Sequence, residues 1–253
     1  MLAAPPGVRP RSVVVVLPGG GLHFDKRWAA RWLPLTDLPV LRAYVDLPLH
    51  GERLAADLRE RHRHDPLRGF FGPAILGMAE ELPSIIDDLL DRVGDPSIDR
   101  VGVCGWSIGA LAAFLGALEE DRIGVLAGFA MPLGSPDHLR VADRPPAGME
   151  PALLERLDLL AQAGGLYPRP VLLLHGDADT WVGAEASRTL HRALEPIYAP
   201  CAEKLRYVEF PGVPHDPLAG DQEQRVAIAE AVRGWLAAHL LAPRETPTAP
   251  QRS

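Results

Sequence analysis

The pentapeptide Gly105-Trp106-Ser107-Ile108-Gly109 sets a serine between two glycines, at the junction of an apolar run over 100–104 and a helix-forming stretch over 110–120. A Gly-x-Ser-x-Gly pattern at a strand-to-helix turn presents a nucleophile. The turn is tight enough to strain the serine backbone, and only glycines two residues to either side leave room for strand and helix to pass. A serine hydroxyl is a poor nucleophile near neutral pH, so it needs a base, and the base needs a group to orient it. The chain holds candidates for both. Two aspartates, Asp177 and Asp179, follow the apolar run 171–175, and His215 lies in a Pro/Gly-rich loop after the run 205–210. Acyl transfer through a serine is the chemistry these residue types support.

Positioning such residues takes a rigid frame. Six runs read as strands: 12–17, 41–47, 100–104, 123–130, 170–175 and 205–210. Helices fit the gaps. Asp25 is placed to cap 26–33, and a helix over 79–93 carries Pro83 either as a kink or in its first turn. Asp221 with Gln224 forms a capping box for 222–240, where Val226, Ile228, Ala229, Val232, Trp235 and Leu236 recur at helical spacing. This alternation predicts an α/β fold: a trimmed, mostly parallel sheet of about six strands with helices on both faces. Ligands in such sheets gather beyond the carboxyl ends of the strands, where Ser107, the two aspartates and His215 all fall. Residues 1–11 and 242–253, rich in proline and polar residues, read as disordered tails around one domain over 12–241.

The bulk numbers narrow the function classes. A net charge of −7 over 253 residues gives no electrostatic footprint for nucleic acid or an anionic membrane surface. No window approaches the roughly 18 apolar residues of a membrane span, and the N-terminus lacks the basic-then-apolar pattern of a secretory leader, so a cytoplasmic protein is expected. Cys104 and Cys201, about a hundred residues apart, suggest neither a disulfide framework nor a metal site. Arg61-His62-Arg63-His64-Asp65 has a metal-like look, but its arginines would repel a divalent ion and no second histidine comes right after the aspartate as the His-x-His-x-Asp-His pattern requires. No metal and no organic cofactor is expected.

Taken together these motifs resemble the α/β-hydrolase superfamily over roughly residues 12–240. There the turn around Ser107 is the nucleophile elbow, and the order serine, acid, histidine along the chain is the superfamily's own. His175-Gly176-Asp177-Ala178-Asp179-Thr180-Trp181-Val182 is similar to its His-Gly-x-x-Asp-x-x-Val signature, which makes Asp179 the implied acid and Asp177 the runner-up. His215 stands where the superfamily keeps its base. Pro18-Gly19-Gly20-Gly21-Leu22-His23 resembles the superfamily's oxyanion loop with proline in place of the usual histidine, which implies the Gly20 amide, or else Gly21, as one donor and Ile108 as the other. A dinucleotide-binding reading of these glycines fails because Phe24 occupies the place of the last glycine.

Residues 44–53 are similar to bacterial serine esterases of the dienelactone-hydrolase and prolyl-oligopeptidase-like branch, with His50 read as structural. Departures from that branch shape further expectations. Only 11 residues precede the first strand, so the sheet should begin with that strand inside, the second outside it and the other four following in order. Ala110 follows the elbow where peptidases often carry glycine, and there is no room for a propeller domain, which favours small esters. Leu22, Phe24, Trp106 and Trp181 are expected to form a modest apolar acyl pocket, with 64–82 and 132–169 as possible lids. The implied activity is a serine hydrolase acting on a small-molecule ester. Thioesterase, acyltransferase or short-peptide hydrolase activity on the same triad is the alternative, and a non-catalytic binding protein on this fold is the alternative from another class.

Overall fold

The computed structural model describes residues 1–21, 23–134 and 151–242. Its centre is a seven-stranded sheet. Strands β1 (Leu2–Ala3), β2 (Ser12–Leu17), β3 (Val40–Tyr44), β4 (Val101–Trp106), β5 (Ile123–Phe129), β6 (Val171–Gly176) and β7 (Leu205–Phe210) lie in the order β1-β3-β2-β4-β5-β6-β7. From β3 to β7 every neighbouring pair is parallel, which gives the expected order of six strands with β2 inside.

The seventh strand corrects the reading of the N-terminal segment as a disordered tail. β1 pairs antiparallel with β3, and the Met1 amino group donates to the Tyr44 carbonyl at 2.8 Å. Without it β3 would present an open row of backbone donors and acceptors, and the apolar start of the chain covers part of that row.

Helices α1 (Lys26–Trp32), α2 (Leu58–His64), α3 (Gly72–Val93), α4 (Ile108–Glu119), α5 (Pro151–Leu157), α6 (Leu159–Gln162), α7 (Glu185–Tyr198) and α8 (Gln222–His239) fill the connections. Asp25 caps α1 through the Arg27 and Trp28 amides, and the Asp221–Gln224 capping box opens α8. Pro83 sits deep inside α3, which starts seven residues earlier than its apolar pattern suggested because a π-turn, Leu67–Phe71, feeds directly into it.

Strand alternation divides the core. Val13, Val15 and Leu17 of β2 belong to the core that α3, α4 and α7 also line, whereas Val14 and Val16 belong to the one lined by α1 and α8. Because β2, β4, β6 and β7 run parallel, the loops after all four open on the same edge of the sheet. No helix among the described residues is long and apolar enough to cross a membrane.

Candidate active site

β4 ends at Trp106, α4 begins at Ile108, and Ser107 alone makes the turn at φ 53° and ψ −124°. That conformation is sparsely populated for a residue with a Cβ. It is held from both sides, because the Ser107 amide donates to the Phe129 carbonyl at 2.8 Å and its carbonyl accepts from Ala110 at 3.0 Å. The flanking glycines are there for space. A Cβ on Gly105 would stand 2.4 Å from the Ala110 nitrogen, and one on Gly109 2.1 Å from the Pro18 carbonyl oxygen. Strand, helix and the glycine loop after β2 therefore meet at backbone contact, with Ser107 at the junction and 6% exposed.

Two more loops converge on this serine. His215 Nε2 lies 3.0 Å from Ser107 Oγ, and His215 Nδ1 lies 2.7 Å from Asp179 Oδ2. A carboxylate only accepts, so Nδ1 carries the proton and the Nε2 lone pair faces the serine hydroxyl. Asp177 is placed elsewhere: its carboxylate accepts from the Gly212 amide at 2.6 Å and ties down the loop that carries His215. The same loop is gripped a second time, since the Trp106 indole donates to the His215 carbonyl at 2.8 Å.

Asp179 is enclosed by four donors. Oδ1 accepts from the Trp181 and Val182 amides at 2.8 and 2.9 Å. Oδ2 accepts from His215, and His175 Nε2 stands 3.2 Å from the same oxygen. Burial on its own would raise the Asp179 pKa, but the donors from His175, His215 and Val182 outweigh it and hold the carboxyl well below the usual range. His175 is itself fixed, because Nε2–H also reaches the Val182 carbonyl at 2.7 Å and Nδ1 accepts from Ser187 Oγ at 2.7 Å.

The glycine loop after β2 lies across the elbow. Gly19 leaves no room over the Trp106 ring, and a Cβ on Gly20 would stand 2.8 Å from Phe71 and 2.9 Å from Ile108 side-chain carbons. Among the described residues neither the Gly20 nor the Ile108 amide has a hydrogen-bond partner. Gly21 differs. Its amide donates to His50 Nε2 at 3.2 Å, so it is not free to serve as the alternative oxyanion donor.

The expected acyl pocket needs more revision. Trp106 is 1% exposed and lies between Phe24 and Trp28, stacked on Trp28 at 4.2 Å, so it belongs to the core on the α1 and α8 side. Phe24 joins the same aromatic cluster. Trp181 is 83% exposed and lies parallel to the His215 ring at a centroid distance of 6.0 Å, on the open side of the histidine. Leu22 and the 135–150 portion of the possible lid over 132–169 lie outside the described residues. In the other possible lid, 64–82, the π-turn carries Phe71 onto Gly20.

The sequence reading takes His50 as structural, names His175 only within the acid's signature and covers Phe71 only within the possible lid 64–82; the structure brings all three to the site. For His175 a signal existed, since it stands four residues before Asp179 in a strand end. Phe71 is placed by a π-turn that apolar periodicity does not reveal.

No family model and no curated protein matches this chain by sequence. Solved structures match it by shape. TT1662 from Thermus thermophilus aligns with a TM-score of 0.71 at 21% identity, over 96% of this chain and 93% of that one. Est1E from Butyrivibrio proteoclasticus aligns at 0.60 and 18% identity, over 95% of this chain and 93% of its own. The acylaminoacyl peptidase of Pyrococcus horikoshii aligns at 0.68 and 16% identity, over 97% of this chain but 40% of the peptidase. The chain has the α/β-hydrolase fold. Since a fold hosts many chemistries, activity has to be argued from the site.

Proposed function

We propose that the protein is a serine hydrolase that cleaves small carboxylic esters through an acyl-enzyme. One observation carries the reading: the unbroken line from Ser107 Oγ through both nitrogens of His215 to Asp179 Oδ2, at 3.0 and 2.7 Å. His215 Nε2 takes the proton as Ser107 Oγ attacks the ester carbonyl, and Asp179 steadies the imidazolium. The Gly20 and Ile108 amides face the developing oxyanion, Ile108 from the first turn of α4, where the helix dipole adds to the field. Each such donor is worth about 3 kcal/mol of barrier when measured by its removal. His215 then gives its proton to the leaving alcohol, and a water activated by the same nitrogen releases the acid and restores Ser107. Phe71 and the Ile108 side chain flank Gly20 as apolar walls, which suits a short acyl group.

The test is hydrolysis of nitrophenyl esters from acetyl to long-chain acyl by the parent and Ser107→Ala, with labelling of Ser107 by a fluorophosphonate. Short-chain turnover and labelling that both vanish in the variant are expected. A folded parent that hydrolyses none of the series and resists the label would overturn the proposal.

A further inference from the structure

His50 is fully buried, and both of its ring nitrogens are committed. Nδ1 lies 2.9 Å from the Pro48 carbonyl, which can only accept, so Nδ1 carries the proton. Nε2 is left as a lone pair, and it takes the Gly21 amide at 3.2 Å. Burial lowers the pKa of this imidazole and favours the neutral ring that such an arrangement requires.

The turn that carries His50 is built under strain. Leu49 has φ 65° and Gly51 φ 54°, and a Cβ on Gly51 would stand 2.4 Å from the Asp46 carboxyl carbon. Left-handed backbone at a leucine survives only where the surroundings over-determine it. Here they do so by bolting the turn to the loop after β2 and to the start of α1. Besides the His50–Gly21 bond, Asp46 accepts from the Lys26 amide at 2.6 Å and from the Glu52 amide at 3.2 Å. From the other side the π-turn lays Phe70 on the His50 ring, at 4.6 Å and 25°, and sets Phe71 against Gly20.

We infer that His50 is a positioning residue for the oxyanion loop: by holding the Gly21 amide it fixes the Gly20–Gly21 peptide, so the Gly20 amide stays directed at the reacting carbonyl. This role rests on Ser107 being the nucleophile and Gly20 an oxyanion donor. A purely space-filling histidine would leave its ring nitrogens satisfied by neighbours in its own turn. Nε2 instead reaches across 29 residues of sequence to the loop amide that directly follows the proposed donor. Leucine at this position would keep the packing on Phe70 and free the Gly21 amide to turn. Glutamine would keep an uncharged acceptor there.

The test compares His50→Leu and His50→Gln in the full chain, using nitrophenyl acetate and an alkyl boronic acid that forms a tetrahedral adduct on Ser107. The leucine variant is expected to lose kcat by about 100- to 1,000-fold, as for a lost oxyanion donor, with KM changed less than about threefold. Its boronate affinity should fall in parallel, and the glutamine variant should recover most of both. Retention of kcat and boronate affinity within about threefold in the leucine variant would overturn the inference. So would equal losses in the two variants that track their melting temperatures. Should the leucine variant not fold, nitrogen NMR of the parent's His50 decides: a proton on Nδ1 and a hydrogen-bonded Nε2 support the latch, and a proton on Nε2 at pH 7 sinks it. A parent without Ser107-dependent hydrolysis or boronate binding would remove the serine-hydrolase reading, and the role with it, whatever the NMR finds for the contact itself.

Discussion

Replacing Asp179 by asparagine exchanges one carboxylate oxygen for an NH2 group at almost constant shape, and the structure dictates which oxygen. The Trp181 and Val182 amides both donate to Oδ1, so the asparagine carbonyl must take that place. Its NH2 then occupies the Oδ2 position, 2.7 Å from His215 Nδ1 and 3.2 Å from His175 Nε2. A donor now faces a donor. His215 can relieve the clash only by moving its proton to Nε2, where it points at Ser107 and can no longer accept the serine proton. The productive tautomer would leave buried donors unpaired, at about 1–3 kcal/mol. The imidazolium formed in the transition state would also lack its counter-charge, worth about 4 kcal/mol for unit charges about 4 Å apart at a partly screened site. The combined loss is near 5.5 kcal/mol, or about 10,000-fold in kcat, the size seen for the same exchange in another serine triad. The assay is kcat on nitrophenyl acetate, with thermal unfolding as the check on folding. Asp177→Asn serves as control and should lose less than about tenfold, since Asp177 touches only the His215 loop. A folded Asp179→Asn protein within about thirtyfold of the parent would show that Asp179 does not set the His215 tautomer.

Other perturbations follow from the same geometry. Ser107→Gly should abolish turnover yet raise stability by about 1 kcal/mol, because glycine adopts φ 53° freely; an unchanged or lower melting temperature would remove the claim of strain. Trp106→Phe keeps the ring packing but deletes the donor to the His215 carbonyl, so a loss of about 1–3 kcal/mol of stability and a several-fold drop in kcat are expected, with acyl preference unchanged. A changed acyl preference would mean that the ring does meet substrate after all. Acid titration has a defined sign. The native Asp179 carboxyl is held below its unfolded value of about 3.9, so the unfolded chain binds the proton more readily. Its contribution to stability is complete above that value and is lost as pH falls through the native one. The parent should therefore lose stability more steeply below about pH 5 than Asp179→Asn does, and parallel curves in urea unfolding would refute this.

How much of this was legible in the residues depended on what each signal reports. The run 12–17 is buried on both faces and reads as a strand with the right bounds, and 205–210 does so by its apolar content and its flanking turns. Ser107 directly follows β4, and Asp179 and His215 lie in the loops that follow β6 and β7, so locating the strands located them. β1 left no mark because two residues carry no periodicity, and its pairing comes from the open edge of β3. Trp106 was misread from its nearness to Ser107 along the chain. Alternation carried the better signal: Trp106 shares a strand face with Cys104, the face of Val14 and Val16 that packs on α1 and α8. The partners of His50 and His175, Gly21 and Ser187, were out of reach because only the fold joins them.

The two imidazoles on Asp179 divide the work by their surroundings. His175 is sealed: its side chain has no exposure, Ser187 supplies a proton to Nδ1, and Nε2–H is shared between the Val182 carbonyl and Asp179. With both ring nitrogens hydrogen-bonded to fixed neighbours, this ring is held in one orientation. His215 donates to the same oxygen, yet it keeps a partly exposed ring and a free lone pair toward Ser107. In the proposed mechanism the proton moves on the serine side of Asp179, through His215. On the opposite wall His50 is sealed in the same way and holds an amide instead of a carboxylate. Oxyanion donors and a general base accelerate a reaction only when they need not reorganise during it. Buried histidines with both ring nitrogens hydrogen-bonded to fixed neighbours meet that requirement on both sides of Ser107.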